Sequence, residues 1–298
     1  MVNRRLVRYL TCAGYEASGV EDPSELEAQA EELSLAAADA FDAHVVEKLV
    51  RDKPSVTGVL FTAEPLRRCL RFAVENPDIS NIFGRPDFES PPRRWEMLMV
   101  LRRLLRPEAG SPPFTAYLDW GFRGFQEHVA STEGRDAVVQ RVESATGGLG
   151  VPKRVTEMLS ELTHELLMNA MYDAPVDDAG KPKYAMNRKA SLALAEDERP
   201  TFRFGTDGSR VAVQVTDPFG RLERKHVFEG LARGLEDGEM DRSHGGAGLG
   251  MALCHNASVA MFFDVVREVK TEVTAIFDLD LNLREFRNQA KSLHFFAL

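Results

Sequence analysis

The stretch from Pro152 to Ala174 constrains the fold most, because it predicts a helix with two chemically distinct faces. Glu165, Asn169 and Asp173 follow one another at intervals of four residues, so they lie along one face. Two carboxylates and an amide in a row can accept a proton and offer oxygen ligands to Mg²⁺. Taken alone, the same pattern is more typical of a solvated polar face. The adjacent apolar stripe consists of Val155, Leu159, Leu162, Leu166 and Ala170.

A predicted β-hairpin follows. Its strands are Thr201 to Gly205 and Arg210 to Thr216, and Asp207-Gly208 between them favours a tight turn. The second strand runs into Asp217-Pro218-Phe219-Gly220, where a sharp turn after the strand can direct the Asp217 carboxylate into a pocket. By itself this tetrapeptide is ordinary turn chemistry.

A glycine run, Gly245-Gly246-Ala247-Gly248-Leu249-Gly250, precedes an apolar helix. Closely spaced glycines let backbone N–H groups approach an anion, and the start of a helix adds positive potential. The dinucleotide-binding fingerprint has similar spacing but follows the first strand of a βαβ unit, whereas this run lies late in the chain after a polar stretch. Strands at Ala260 to Val266 and Glu272 to Leu279 are predicted to complete the region.

The order of these motifs resembles the gyrase/chaperone/histidine-kinase/mismatch-repair (GHKL) ATPase domain. Glu165 to Ala170 resembles the N box of the family, Asp217 to Gly220 its first glycine box and Gly246 to Gly250 its second. The resemblance covers roughly residues 130–285. It implies an α+β chain whose C-terminal part is an α/β sandwich, a mixed sheet with helices on one face.

The resemblance also implies roles for single residues. Asn169 would coordinate Mg²⁺ on the phosphates of ATP, and Glu165 would be the general base. Asp173 would lie beside the nucleotide, and Asp217 would accept a hydrogen bond from the adenine amino group. The remaining nucleotide-binding positions are Gly220, Gly246, Gly248, Leu249 and Gly250. A lid would span about residues 221–245, with Arg242 near the phosphates.

The first glycine box departs from the pattern of the family. Phe219 and Arg221 occupy its two glycine positions, and a side chain at Phe219 can narrow the adenine pocket. Two hypotheses therefore stand. The chain is an ATPase or protein kinase, or it is a non-catalytic module whose partner binding is gated by the nucleotide.

The histidines do not favour a sensor histidine kinase. His128 lies too close to Asn169 for a two-helix dimerisation hairpin, His44 lies in an alanine-rich segment, and His164 lies inside the N-box helix. The compact branch of the family, which resembles anti-sigma serine/threonine kinases, remains. This interpretation implies a protein partner in a signalling pathway and leaves a homodimer open.

Residues 1–108 are expected to form a small α/β domain. Helix is predicted over 4–50, a buried strand over Val56 to Thr62, an amphipathic helix from Glu64 to Glu75, a strand from Ile79 to Phe83 and a helix from Arg93 to Leu105. Two segments, Leu6 to Glu16 and Val56 to Thr62, weakly resemble a response-regulator receiver. No acidic residue is identifiable at the end of an early strand, so an unrelated module is an equal alternative.

Proline and glycine between residues 106 and 113 mark a linker, and helix is expected over 115–150. The ATP-binding domain is expected over 115–285, and residues 286–298 are expected to form a C-terminal tail. A formal net charge of -9 disfavours DNA as a partner. The three cysteines are widely separated, which disfavours disulfides and zinc. No segment approaches the roughly 20 apolar residues of a membrane span, so the prediction is a cytoplasmic protein.

Overall fold

The computed structural model describes residues 2–22, 25–26, 32–177, 179–236 and 247–298. The chain forms two compact units. Unit 1 comprises Met1–Ser111 and Asn288–Phe295, and unit 2 comprises Pro112–Arg287 and Phe296–Leu298. Helices are combined with parallel and antiparallel strand pairs, so the chain is of the mixed α+β type.

Unit 1 contains three parallel strands, β1 (Leu35–Asp39), β2 (Thr57–Thr62) and β3 (Ile79–Gly84), and β9 (Ser292–Ala297) pairs with β3 antiparallel. Its helices are α1 (Val2–Ala13), α2 (Ala43–Asp52), α3 (Leu70–Glu75) and α4 (Arg94–Leu105). The predicted strands at β2 and β3 and the predicted helix at α4 are confirmed. The helix expected from Glu64 is shorter, because a 3-10 turn, Leu66–Arg68, precedes α3.

Two predictions for unit 1 are wrong. Residues 35–39 form β1, not helix, because pairing with the buried strand β2 overrides the helix propensity of an alanine-rich segment. The predicted tail contains β9, and its buried residues pair with β3. The single histidine in Leu293-His294-Phe295-Phe296 obscured an apolar run of strand length.

Unit 2 contains an antiparallel sheet in the order β7-β8-β6-β5-β4. The strands are β4 (Arg123–His128), β5 (Thr201–Thr206), β6 (Arg210–Asp217), β7 (Ala260–Val266) and β8 (Lys270–Asp278). The predicted strand regions β5 to β8 are confirmed. The strand pairs described within this unit are antiparallel, and short turns join β5 to β6 and β7 to β8. The parallel pairs of the mixed fold lie in unit 1.

The helices of unit 2 are α5 (Thr132–Gly147), α6 (Lys153–Met168), α7 (Arg224–Glu236), α8 (Ala247–Asn256) and α9 (Leu283–Asn288). The helix expected over 115–150 is wrong in its first part. Residues 123–128 form β4, whose side chains are mostly exposed, so its polar composition hid the strand. The Ser131 hydroxyl accepts a hydrogen bond from the Gly134 N–H and so caps the start of α5.

Candidate functional site

The predicted polar helix is present, but its last turn is wider than an α-helix. α6 ends at Met168 and continues into a π-helical turn, Asn169–Asp173, where the Ala174 N–H donates to the Asn169 carbonyl at 3.1 Å. Single π turns occur frequently at functional sites. The turn carries both Asn169 and Asp173, so two of the three predicted polar residues lie on irregular backbone.

Arg188 links these two residues. Its Nη2 donates to Asn169 Oδ1 at 3.0 Å and lies 3.5 Å from Asp173 Oδ2. Asn169 and Asp173 therefore share one face, as their spacing predicted. We call Asn169, Asp173 and Arg188 the guanidinium cluster.

Arg188 was missed by sequence reasoning. It follows a 3-10 turn, Ala185–Asn187, in a segment where no periodicity relates it to α6. Nearby backbone is tied to α5 and the π turn, because the Tyr172 hydroxyl donates to the Ala190 carbonyl at 2.6 Å and Leu192 N donates to Thr132 Oγ1 at 2.7 Å. Tertiary structure brings Arg188 to Asn169 and Asp173, so the only signal in the sequence is the positive charge of Arg188.

The electrostatics of the cluster reflect partial burial. Burial raises the pKa of Asp173, Arg188 opposes that shift, and the negative charge of Glu165 adds to it. Burial and the positive charge of Arg135 lower the pKa of His164. The guanidinium of Arg188 thus favours the ionised form of Asp173 and opposes burial, although the pKa of Asp173 stays above its ordinary value.

As arranged, these side chains do not fit a Mg²⁺ ion. The amide oxygen predicted to bind the metal already accepts a hydrogen bond from a guanidinium. Within the described ranges, no group of three or more His, Cys, Asp or Glu residues is placed to hold a metal. A metal ion on Asn169 Oδ1 would share that oxygen with the Arg188 guanidinium, and the two positive charges would repel each other at close range.

Glu165 is half-buried and faces α8. A Cβ atom built on Gly250 would lie 2.5 Å from Glu165 Oε2, so a glycine at this position lets the carboxylate approach the helix backbone. The charge of Glu165 also contributes, after burial, to the raised pKa of Cys254. The predicted general base and the predicted second glycine box are therefore in contact.

The second glycine box lies partly within α8. The helix begins at Ala247, so Gly248, Leu249 and Gly250 are in its first turn and not in a preceding loop. Gly246, Arg242 and the last part of the predicted lid, residues 237–245, lie outside the described residues. Of the predicted lid, the structure places residues 224–236 in α7.

Asp217 is the last residue of β6 and is buried. Its Oδ1 accepts a hydrogen bond from the Phe219 N–H at 2.9 Å. Burial raises its pKa to about 6, although that N–H and the neighbouring Thr271 hydroxyl favour the ionised form. Thr271 is the cross-strand partner of Asp217 on β8, a position that sequence reasoning did not identify.

Gly220 has a structural role. Its φ is 61°, and a Cβ atom there would collide with the Val266 carbonyl oxygen in the turn between β7 and β8. The Gly220 carbonyl also accepts from Glu268 N at 3.1 Å. Phe219 is half-buried, and Arg221 is exposed and donates to the Gly180 carbonyl at 3.4 Å. Neither Phe219 nor Arg221, the two residues that depart from the glycine box, has the positive φ that Gly220 has.

The three predicted motifs come together within unit 2. α6 packs against α8, which carries the second glycine box, and the π turn lies beside β6, which ends in Asp217. The elements that carry Glu165, Asn169, Asp173 and Asp217 are therefore packing neighbours.

The other candidate residues lie elsewhere. His128 is on β4, where its ring nitrogen lies 3.1 Å from the Thr201 hydroxyl, and His44 is exposed on α2. In unit 1, Asp39 ends β1 and its carboxylate pairs with Arg85. An acidic residue does end an early strand, and it was missed because β1 was predicted as helix.

Comparison with known proteins adds no assignment: no family model matches the chain, and no curated protein matches it significantly. Among the described residues, no helix has the length and apolar character needed to cross a membrane.

Proposed function

We propose that unit 2 binds ATP and that the chain is a signalling protein of the histidine-kinase-like ATPase type. The observation that carries this proposal is the convergence of three motifs distant in sequence. The carboxylate of Glu165 touches Gly250, while the turn holding Asn169 and Asp173 lies beside the strand that ends in Asp217. The elements that carry the three motifs are packing neighbours, and this supports the proposal.

In this proposal Asp217 selects adenine. A buried carboxylate accepts a hydrogen bond from an exocyclic amino group, which adenine has at its six-position and guanine lacks there. The carboxylate is held by the Phe219 N–H, so its orientation is set before the base arrives. Burial strengthens the discrimination, because an unmatched polar group would be costly in such a site.

Glu165 is the proposed general base. It would take the proton from a water or a protein hydroxyl as that oxygen attacks the γ-phosphorus and the bond to the β-phosphate oxygen breaks, releasing ADP. The contact with Gly250 holds the carboxylate against the first turn of α8. A protein hydroxyl as the attacking group would make the chain a kinase acting on a partner in a signalling pathway.

The second candidate function is a nucleotide-gated interaction module without turnover. Phe219, which replaces a glycine of the family pattern, is half-buried beside Asp217 and favours this alternative. ATP would then act by shifting the population of conformations that bind the partner.

Calorimetry with ATP and GTP, followed by a phosphate-release assay on the same sample, tests both candidates. The proposal expects ATP binding and at least tenfold weaker GTP binding, on the scale of one hydrogen bond to a charged group. Phosphate release would favour the ATPase or kinase, and binding without release would favour the gated module. Absence of ATP binding would contradict the proposal.

Matched variants on one helix assign the roles. Glu165→Gln is expected to keep ATP binding and to lose turnover, and Asn169→Ala is expected to lose binding. Glu161→Gln is the control, because Glu161 lies one turn earlier on α6 with its side chain 44% exposed. Equal turnover in Glu165→Gln and Glu161→Gln would remove Glu165 from the mechanism.

A further inference from the structure

The cation in the guanidinium cluster belongs to the chain itself. Arg188 Nη2 donates to the amide oxygen of Asn169 and lies within ion-pair distance of Asp173. These are the oxygen ligands that the resemblance assigns to the nucleotide and its metal. A single positively charged side chain therefore already contacts both of these acceptors.

Arg188 has donor capacity left. Its Nε is buried and meets no hydrogen-bond acceptor in the part of the chain that the structure describes. The side chain is nevertheless 33% exposed, so one side of the group is open to solvent. A guanidinium has five N–H donors in a planar fork that matches phosphate oxygens.

The residues around Arg188 favour a cation that is covalently part of the chain over a metal ion that must bind from solution. A guanidinium stays protonated at any accessible pH, whereas Mg²⁺ sheds its hydration water reluctantly and prefers near-octahedral oxygen coordination. Asn169 and Asp173 supply one amide and one carboxylate, and both already face Arg188. The acceptor set suits a fixed arginine better than a divalent ion.

We propose that Arg188 takes the place of Mg²⁺ in this site and binds the phosphates of the nucleotide directly, so that ATP binding does not require a divalent cation. Asn169 and Asp173 act as positioning residues that hold the guanidinium. This inference rests on the proposed ATP binding by unit 2.

The test is calorimetric titration of the full chain with ATP, once with excess Mg²⁺ and once with EDTA. The wild-type protein is expected to bind ATP with affinities that agree within about threefold, a difference below the scale of one hydrogen bond to a charged group. Arg188→Gln is expected to lose about 10- to 100-fold in affinity in EDTA.

Two further variants distinguish phosphate binding by Arg188 from a purely structural role. Arg188→Lys retains a cation and is expected to restore part of the metal-free binding, which a purely structural role would not predict. Arg154→Gln makes the same charge change near the start of α6, with a side chain 46% exposed, and should match the wild-type protein. Circular dichroism of each variant confirms that it is folded.

The outcomes separate the two proposals. Wild-type binding that needs Mg²⁺, or unchanged metal-free binding in Arg188→Gln, would overturn the role of Arg188 and leave ATP binding by unit 2 intact. Absence of ATP binding in both buffers would overturn the proposed function and this inference with it.

Discussion

Two regions bring similar polar side chains together with opposite results. In unit 1, His294 Nε2 lies 3.0 Å from Glu96 Oε1, and His294 Nδ1 lies 3.2 Å from Asn81 Oδ1. The side chains of Glu96 and His294 are 0% exposed. In unit 2, the guanidinium cluster is about one-third exposed and retains an unmatched buried donor among the described residues.

The difference separates polar groups that stabilise a fold from polar groups that can bind a ligand. A fully enclosed network such as Glu96–His294–Asn81 leaves no route for a substrate and is costly to disrupt. A cluster that is about one-third exposed contributes little to stability but offers donors to an incoming molecule. Residue type alone does not distinguish these cases, since both contain a carboxylate, an amide and a basic group.

The largest expected effect is on the enclosed network. His294→Ala should lower the free energy of unfolding by about 3–5 kcal/mol, because it leaves the Glu96 carboxylate buried without its nearest partner. Urea denaturation measures this loss. ATP binding at a temperature where the variant is folded should be unchanged, and a parallel loss of ATP binding would contradict the assignment of the network to structure alone.

The ionisation of Glu96 should also make the stability of the enclosed network depend on pH. Although burial raises its pKa, the hydrogen bond from His294 and the charge of Arg93 bring it below the ordinary value. A lowered folded-state pKa contributes stability above the unfolded-state pKa and loses it as pH falls. Between about pH 5 and pH 3, the range in which glutamate ordinarily titrates, the free energy of unfolding should therefore fall more steeply in the wild-type protein than in Glu96→Gln.

Asp217 should show opposite effects on binding and stability. Burial raises the folded-state pKa of Asp217 to about 6, above the ordinary value of 3.8. The stability that this carboxyl contributes is therefore present below pH 3.8 and is lost as the pH rises through about 6. Asp217→Asn should therefore gain up to about 3 kcal/mol at pH 8 and nothing at pH 3.

The same substitution should weaken ATP binding about 10- to 100-fold. In the wild-type protein, affinity should fall about tenfold between pH 7.5 and pH 5 as the carboxylate is protonated. Thermal denaturation and calorimetry across this range measure both effects. A variant that lost stability and kept its affinity would show that Asp217 has a structural role only.

Sequence reasoning succeeded where local patterns and tertiary structure agree. α6 and the hairpin of β5 and β6 have clear periodicity and a strong turn signal at Asp207-Gly208, which is why both were predicted. It failed for β1, β4 and β9, since an alanine-rich strand, a polar edge strand and a strand containing His294 each lack the usual alternation.

The candidate site shows the same limit. Glu165, Asn169 and Asp173 were predicted from their four-residue spacing, and Asp217 from its place at the end of a predicted strand. Arg188 and Thr271 reach the site only through tertiary contacts, so no spacing could reveal them.

Two glycines of the site should respond differently to alanine. Gly220→Ala should cost about 2 kcal/mol or more, because its positive φ and its contact with the Val266 carbonyl leave no room for a Cβ atom. Gly250→Ala should leave stability within about 1 kcal/mol, since alanine favours the helix, and should lower turnover by displacing Glu165.

Denaturation and phosphate release distinguish the two glycine variants. Full turnover in Gly250→Ala would show that the contact with Glu165 does not position the base.

The smallest expected effect is the change in protein stability when the guanidinium cluster is disrupted. Arg188→Gln should change the free energy of unfolding by less than about 1 kcal/mol, because the ion pair with Asp173 is partly exposed. Urea denaturation without nucleotide measures it. A loss on the scale of His294→Ala would place Arg188 with the structural network and remove the contrast between the two regions.

Hydrogen–deuterium exchange with and without ATP tests the central claim most directly. ATP is expected to slow exchange in residues 165–174, 185–192 and 217–220 of unit 2, while β3 and β9 of unit 1, which carry Asn81 and His294, remain unchanged. Unchanged exchange in all these segments, or protection confined to unit 1, would contradict nucleotide binding at the proposed site.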